Sequence, residues 1–196
     1  MIEIELKAVV DDVTLRRSAV ERAGGALEMQ GRLEDRRYDM PDGALKGRDH
    51  VLRVRVFRDG ASSRASLEWK GPVQSRDGYR LREEIGTRAD DATALIAIVE
   101  RLGYVVTRAI DRDIAQYALH GATVRFERYP RMDDLVEVEG EPDAIERAVS
   151  AIGIPRASYS SESLPEFVTR YEQRTGSRAA VCEADLASGR GGADVA

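Results

Sequence analysis

Charged residues recur at every second position in several short segments. Glu3, Glu5 and Lys7 alternate with Ile2, Ile4 and Leu6, and Arg53 and Arg55 alternate with Leu52, Val54 and Val56. Glu68 and Lys70 flank Trp69, Arg82 and Glu84 flank Glu83, and Glu137 and Glu139 flank Val138. A period of two belongs to a strand, so each set shares one strand face. An antiparallel sheet ordinarily turns such a face to water. These faces, however, are almost entirely Glu and Arg, and they carry two of the chain's three lysines, Lys7 and Lys70. If they turn inward, the carboxylates repel one another unless a divalent cation bridges them. The Arg and Lys groups repel one another unless a polyanion lies between. A metal-chelated polyphosphate meets both needs, with glutamate oxygens on Mg2+ or Mn2+ and basic groups on phosphate oxygens.

The elements that position these residues follow the same reading. Ile2 to Val10 is a strand, and Asp11-Asp12 opens a helix that Gly24-Gly25 closes. Ala26 to Arg32 and Arg36 to Met40 read as two separate strands. Val51 to Phe57 and Ala65 to Lys70 form a hairpin about Asp59-Gly60, and Tyr79 to Ile85 follows Asp77-Gly78. Asp90-Asp91 caps a second helix ending at Gly103. Three further strands are expected: Tyr104 to Tyr117 with a break or bulge, Ala122 to Arg128, and Leu135 to Glu139. Helices are expected from Pro142 to Ala151 and from Ser163 to Arg174. Many hairpin-linked strands with few helices argue for an α+β fold on an antiparallel sheet, and closure into a barrel removes exposed edges. Residues 177–196, rich in Ala, Gly and Ser, read as a flexible tail beyond a single domain at 1–176.

Composition narrows the partners. With 35 acidic and 30 basic residues the net charge is −5, which gives no overall pull toward nucleic acid or an anionic membrane. No apolar run reaches the ~20 residues of a membrane-spanning helix. The opening MIEIELKAVV, interrupted by Glu3 and Glu5, does not read as a signal peptide. Cys182 is the only cysteine, which excludes an intrachain disulfide and a cysteine zinc site. A cytoplasmic location is expected. The glycine-rich run at 189–192 has neither a preceding strand nor a following Lys-Ser/Thr, so it is no phosphate loop.

Taken in order, the segments resemble a known family. Glu3-Ile4-Glu5-Leu6-Lys7 is similar to the E-x-E-x-K signature of CYTH proteins, the triphosphate tunnel metalloenzymes. Leu52-Arg53-Val54-Arg55, Trp69-Lys70-Gly71-Pro72 and Arg82-Glu83-Glu84 resemble that family's L-R-x-R, K-G-P and R-x-E segments. Val124-Arg125-Phe126-Glu127 resembles a segment that usually ends in Asp, and Leu135 to Glu139 resembles the closing E-x-E strand. The resemblance spans about residues 1 to 170. It implies an eight-stranded antiparallel β-barrel forming a tunnel, with helices outside. It implies metal ligation by Glu3, Glu5, Glu84, Glu127, Glu137 and Glu139. It implies triphosphate binding by Lys7, Arg53, Arg55, Lys70, Arg82 and Arg112, with Glu5, Lys7, Arg55 and Lys70 closest to the chemistry. The family's K-x-R pair stands here as Ile110-Asp111-Arg112, without its lysine, and Arg108 on the same face can substitute. The acid often found two residues after R-x-E is Gly86 here.

Two reactions run on such a scaffold. One hydrolyses an inorganic or organic triphosphate, as thiamine triphosphatase relatives do. The other converts ATP to cyclic AMP and pyrophosphate, as in the class IV adenylyl cyclase branch, which the segment order resembles most. The implied partner is a small-molecule triphosphate (ATP, tripolyphosphate or an organic triphosphate), and a homodimer is compatible with the cyclase-like branch. Two non-enzymatic readings stand beside these: a polyphosphate- or nucleotide-binding module, and a structural barrel with solvated charges.

Overall fold

A computed structural model describes residues 2–60 and 62–188. The order of elements is strand β1 (Ile2–Val9), helix α1 (Val13–Arg22), β2 (Ala26–Asp39), β3 (Val51–Asp59), β4 (Ser62–Lys70), β5 (Gln74–Arg76), β6 (Tyr79–Ala89), α2 (Ala92–Arg101), β7 (Val105–Leu119), β8 (Ala122–Arg128), β9 (Leu135–Glu139), α3 (Pro142–Ile152), α4 (Leu164–Thr175) and α5 (Glu183–Ser188). The strands run β1-β9-β8-β7-β2-β3-β4-β6 and all pair antiparallel, and β1 pairs with β6 to close the ring. This is the expected eight-stranded barrel, with β5 as an extra strand beside β6.

The apolar core lies outside the barrel. Leu6, Tyr117, Val124, Val136 and Val138 pack against Val20 of α1 and against Ile145, Val149 and Ile152 of α3. Val54, Val56 and Tyr38 pack under α2 through Val99. At one end Ile110, Tyr129 and Leu135 meet Leu164, Phe167 and Val168 of α4. The helices are cut to length by local signals. Asp12 and Asp91 each accept a backbone N–H at 2.9 Å, from Leu15 and Ala94. Ser163 and Glu166 form a capping box at the start of α4. Because the outward faces are satisfied by helices, the alternation in the strands leaves the charged face inside.

Two expectations are corrected. The two strands expected between Ala26 and Met40 are one, β2, paired along its length with β7. The bulge expected in the next long strand is present: β7 carries an extra residue, Thr107, where Arg37 and Tyr38 face Arg108 and Val106, and a second irregularity lies on β2 between Leu27 and Met29. The stretch expected as a flexible tail from residue 177 is instead packed over residues 179–182 and continues into the short, mostly exposed helix α5. Ala179, Ala180, Val181 and Cys182 are buried. Val181 accepts the amide N–H of Asp111 at 2.8 Å, and Ala180 pairs with Arg131. This segment fills the seam where β8 leaves the edge of β7, so small side chains there reflect close packing. Residues 189–196, including the glycine-rich run, lie outside the described residues. Among the described residues no helix is long and apolar enough to cross a membrane.

Candidate active site

The strand registers bring the charged pairs together across the barrel wall. Arg53 lies opposite Glu68 and Arg37, Arg55 opposite Asp35 and Ser66, and Lys70 opposite Glu84. Lys7 lies opposite Glu137, Glu3 opposite Arg82, and Arg125 opposite Glu137. Direct partners in an antiparallel pair share a face. The result is a lined interior cavity of about 260 Å³ reached by Glu3, Glu5, Lys7, Arg53, Arg55, Lys70, Arg82, Arg112, Glu127 and Glu137. Asp35, Arg37, Arg80, Arg125 and Tyr129 line it as well.

Inside, acids and bases hold one another. Lys7 Nζ sits 2.8 Å from Glu5 and 2.7 Å from Glu137. Lys70 Nζ contacts Glu3 and lies 3.2 Å from Glu84. Arg53 reaches Glu68 at 2.7 Å, Glu84 at 3.2 Å and Asp35 at 3.5 Å. Arg55 lies 3.3 Å from both Asp35 and Glu68. Arg112 donates to Glu127 at 2.8 Å, and Arg125 bridges Glu127 and Glu137. Arg82 donates to the carbonyls of Gly71 and Asp49 at the cavity mouth.

The proton affinities follow from this crowding. Burial raises the affinity of the Glu5 carboxyl for a proton, but Lys7, Lys70 and Arg80 outweigh it and hold the pKa at about 2. Asp35 is buried and would be pushed up, yet Arg53, Arg55, Arg112 and Arg37 hold it well below the usual carboxylate range. Burial, with Arg53 adding repulsion, drives Arg55 down to about 10. Burial, with Arg108, Arg53 and Arg112 repelling, drives Arg37 to about 10 against the pull of Asp35. Lys70 is lowered by burial and by Arg53. Arg112 goes up, because Glu127 outweighs the cost of its burial. Arg53 also goes up, because Asp35, Glu68, Glu84 and Glu3 outweigh its burial, so on the β2–β3–β7 side carboxylates hold Arg53 and Arg112 while Arg37 and Arg55 are lowered chiefly by burial.

Not all the expected metal ligands converge. Glu84 and Glu139 line an adjoining cavity of about 430 Å³ together with Glu3 and Glu68. Burial and the nearby Glu3 raise the pKa of Glu139, which marks carboxylates crowded without enough positive charge between them. Hard oxygen donors of that kind suit Mg2+ or Mn2+. Among the described residues no three such side chains already close around one point. Lys70 bridges Glu3 and Glu84. Glu127 is apart from this group, held by Arg112, Arg125 and the Tyr129 hydroxyl as a counter-ion. Glu5 and Glu137 are both engaged by Lys7. The donor chemistry therefore fits a divalent cation at Glu3, Glu84 and Glu139, with Glu68 beside them.

Gly86 has a structural reason. A Cβ there would come within 3.1 Å of the Glu68 Cγ, so the missing side chain leaves Glu68 its place in the lining. Sequence reasoning missed Asp35 and Arg37, because β2 carries Glu34 and Arg36 on its other face and shows no alternation. Arg125 did carry a signal, since Arg125 and Glu127 flank the buried Phe126. Ile110, in the position of the expected lysine, lines the cavity and packs in the apolar cluster under α4.

A closed antiparallel barrel with helices outside and a lining of paired Glu and Arg or Lys defines a class of tunnel protein. The chain belongs to the CYTH domain family, whose model matches residues 1–150. Solved structures share the fold. A candidate adenylate cyclase from Vibrio parahaemolyticus superposes with a TM-score of 0.73 at 16% identity, covering 86% of this chain and 98% of the other. A protein from Pyrococcus horikoshii OT3 gives 0.67 at 21% identity, covering 86% and 98%. A candidate adenylyl cyclase from Hippeastrum, described as having a dominant triphosphatase activity, gives 0.60 at 17% identity, covering 89% and 95%. No curated protein matches the chain.

Proposed function

We propose that the chain is a metal-dependent enzyme that hydrolyses a triphosphate-bearing substrate inside the barrel. The observation that carries this reading is the lining itself. Arginines crowd one wall, where burial and neighbouring arginines lower Arg37 and Arg55, and carboxylates crowd the other, where burial and Glu3 raise Glu139. A pure anion binder has no need of the second wall. The triphosphatase activity of the Hippeastrum neighbour agrees with hydrolysis.

Lys7, Arg53, Arg55, Lys70 and Arg112 exchange carboxylate partners for phosphate oxygens, and Arg82 serves the mouth. Glu5 and Glu137 orient the Lys7 ammonium, and Glu127 orients Arg112. Lys70 turns from Glu3 and Glu84 to phosphate, and Glu3, Glu84 and Glu139 would then hold a divalent cation, which would supply neutralisation of phosphoryl charge. Water oxygen bonds to phosphorus, the phosphoanhydride P–O bond breaks, and a carboxylate of the acidic wall accepts the water's proton. The arginines stabilise the charge that shifts to the departing phosphate oxygen.

A second reading, cyclisation of ATP, is favoured by one feature. A recess of about 200 Å³ runs from Arg55 and Arg125 to Met29, Leu33, Phe57 and Ile114, an apolar end fit for an organic group. The test is to offer purified protein ATP and inorganic tripolyphosphate in parallel, with Mg2+ or Mn2+, and to identify the products. Orthophosphate from tripolyphosphate is the expected outcome. Cyclic AMP with pyrophosphate would replace hydrolysis by cyclisation. No metal-dependent turnover of either would overturn both.

A further inference from the structure

Helices α1 and α3 both lie outside the barrel but meet it differently. α3 buries Ala144, Ile145, Ala148, Val149 and Ile152, whereas α1 buries Val20 alone. A helix ordinarily holds to a sheet through an apolar stripe. The stripe that α1 turns toward β2, β7 and β8 is instead Thr14, Arg17, Ser18 and Glu21, spaced three and four residues apart. These side chains form one wall of a groove of about 770 Å³ on the outer side of the barrel, a volume in the range of small-molecule sites. Ala115 of β7 and Phe126 of β8, both buried, line its barrel side. Arg17 is fixed in the groove by neutral partners. Its Nε–H donates to the Tyr117 hydroxyl at 2.8 Å, an Nη2–H donates to the Gln30 side-chain oxygen at 2.8 Å, and its guanidinium lies 5.6 Å over the Tyr117 ring. The other arginines of the groove have carboxylates: Arg32 has Glu183 at 2.8 Å, Arg58 has Glu34 at 3.2 Å and Arg128 has Asp134 at 3.2 Å. Among the described residues no carboxylate forms an ion pair with Arg17, so its charge is positioned without being neutralised.

We propose that this groove is a second ligand site, outside the tunnel, for a small organic monocarboxylate with an apolar body. The carboxylate pairs with the N–H groups of Arg17 that Tyr117 and Gln30 leave over, and the body lies against Ala115 and Phe126. One uncompensated guanidinium calls for one negative charge, and its planar fork matches a carboxylate. Glu21 stands one turn further along α1, where it accepts the Tyr117 hydroxyl at 2.7 Å and has no basic partner among the described residues. Its charge repels a second negative charge in the groove, so a phosphoryl or polyphosphate group is disfavoured there. The occupant therefore differs from a tunnel substrate in both charge and shape. It also accounts for the polar inner stripe of α1, which packs against little in the barrel wall.

The test uses the whole chain, with benzoate as the probe and benzamide as its neutral counterpart, and reads affinity by calorimetry with and without inorganic tripolyphosphate. Benzoate is expected to bind about tenfold or more tightly than benzamide, whether or not tripolyphosphate is present. R17Q is expected to weaken benzoate by about tenfold or more. R22Q, the same change of charge at an exposed position of α1 outside the groove, is expected to leave it within about twofold. S18L narrows the groove and leaves every charge in place, so it is expected to weaken benzoate as well, and it supplies the reading if R17Q does not fold. Unchanged benzoate affinity in R17Q and S18L overturns the site. Equal affinity for benzamide overturns its anionic character and with it the proposal. Benzoate binding that tripolyphosphate abolishes and R17Q leaves intact belongs to the tunnel, and that outcome overturns the groove while leaving the tunnel reading untouched. Absence of benzoate binding to the unmodified protein also overturns it.

Discussion

The two walls of the barrel are built from the same alternation and have opposite chemistry. Strands β2, β3 and β7 turn Arg37, Arg53, Arg55, Arg108 and Arg112 to one face, and the carboxylate these strands themselves place among them is Asp35. Strands β1, β4, β6 and β9 present Glu3, Glu68, Glu84 and Glu139, with Lys70 among them. On the first wall the lone acid is driven toward ionisation and Arg37 and Arg55 are driven down. On the second wall Glu139 is driven up. On the proposed reading, clusters of opposite sign on opposite sides of one cavity preorganise the protein for a metal-chelated anion.

The comparison breaks most severely at Arg53, which joins the walls through Asp35, Glu68 and Glu84. Arg53→Ala is expected to lower kcat/KM for tripolyphosphate by about 100-fold or more, as loss of a preorganised charge does. It is also expected to destabilise the fold by about 3–5 kcal/mol, because three carboxylates lose a buried partner. Steady-state kinetics and urea unfolding check the two effects separately. A variant with full activity would mean that Arg53 is scaffold only.

Next in size is a change on the acidic wall. Glu3→Gln is expected to weaken Mg2+ or Mn2+ binding by about tenfold or more. Lys70 then loses its closest acid, so tripolyphosphate binding without metal is expected to hold or tighten. Calorimetry with metal alone and with tripolyphosphate alone separates the walls. Equal loss of both would show that they act as one unit.

The same division explains what was legible in the sequence. On β1, β3, β4, β6 and β9 the outward positions are mostly apolar and most of them are covered, Ile2 and Ile85 being exposed, so apolar and charged positions alternate and the inner face can be read directly. On β2 the outward face is charged too. Arg36 reaches Asp111 at 2.6 Å and Arg32 reaches Glu183 at 2.8 Å, so Asp35 and Arg37 are camouflaged among outward charges. The barrel itself was readable from hairpin signals and closure, but β5 was too short to show a period. The Ala-rich segment at 179–181 has the composition of a tail. Only the seam left by β8 gives small residues there a packing role, and that is a tertiary fact with no local trace.

Protonation sharpens the arginine wall further. Asp35 is held below its ordinary value by four arginines, so the folded state favours its ionised form. The stability it contributes is present above the unfolded pKa, about 3.8, and is lost as pH falls below that value. Asp35→Asn is expected to flatten the acid limb of the stability curve and to lower stability near pH 7 by about 3 kcal/mol, since the arginines lose their shared anion. Urea midpoints between pH 3 and pH 8 read both effects. An unchanged acid limb would place the titrating group elsewhere.

The smallest expected effect tests whether the arginine wall needs its outer support. Val181 is buried and its carbonyl accepts from Asp111 on β7, next to Arg112. Val181→Ala removes two buried carbons, which is expected to cost about 2 kcal/mol by area and cavity terms. The backbone hydrogen bond survives that substitution, so the inward direction of Arg108 and Arg112 is retained. Activity per folded molecule is therefore expected to stay within about twofold, while the melting temperature falls by several degrees for a domain of this size. A larger loss of activity, with KM for tripolyphosphate rising and kcat unchanged, would show that the 179–181 segment sets the position of the arginines as well as sealing the barrel edge.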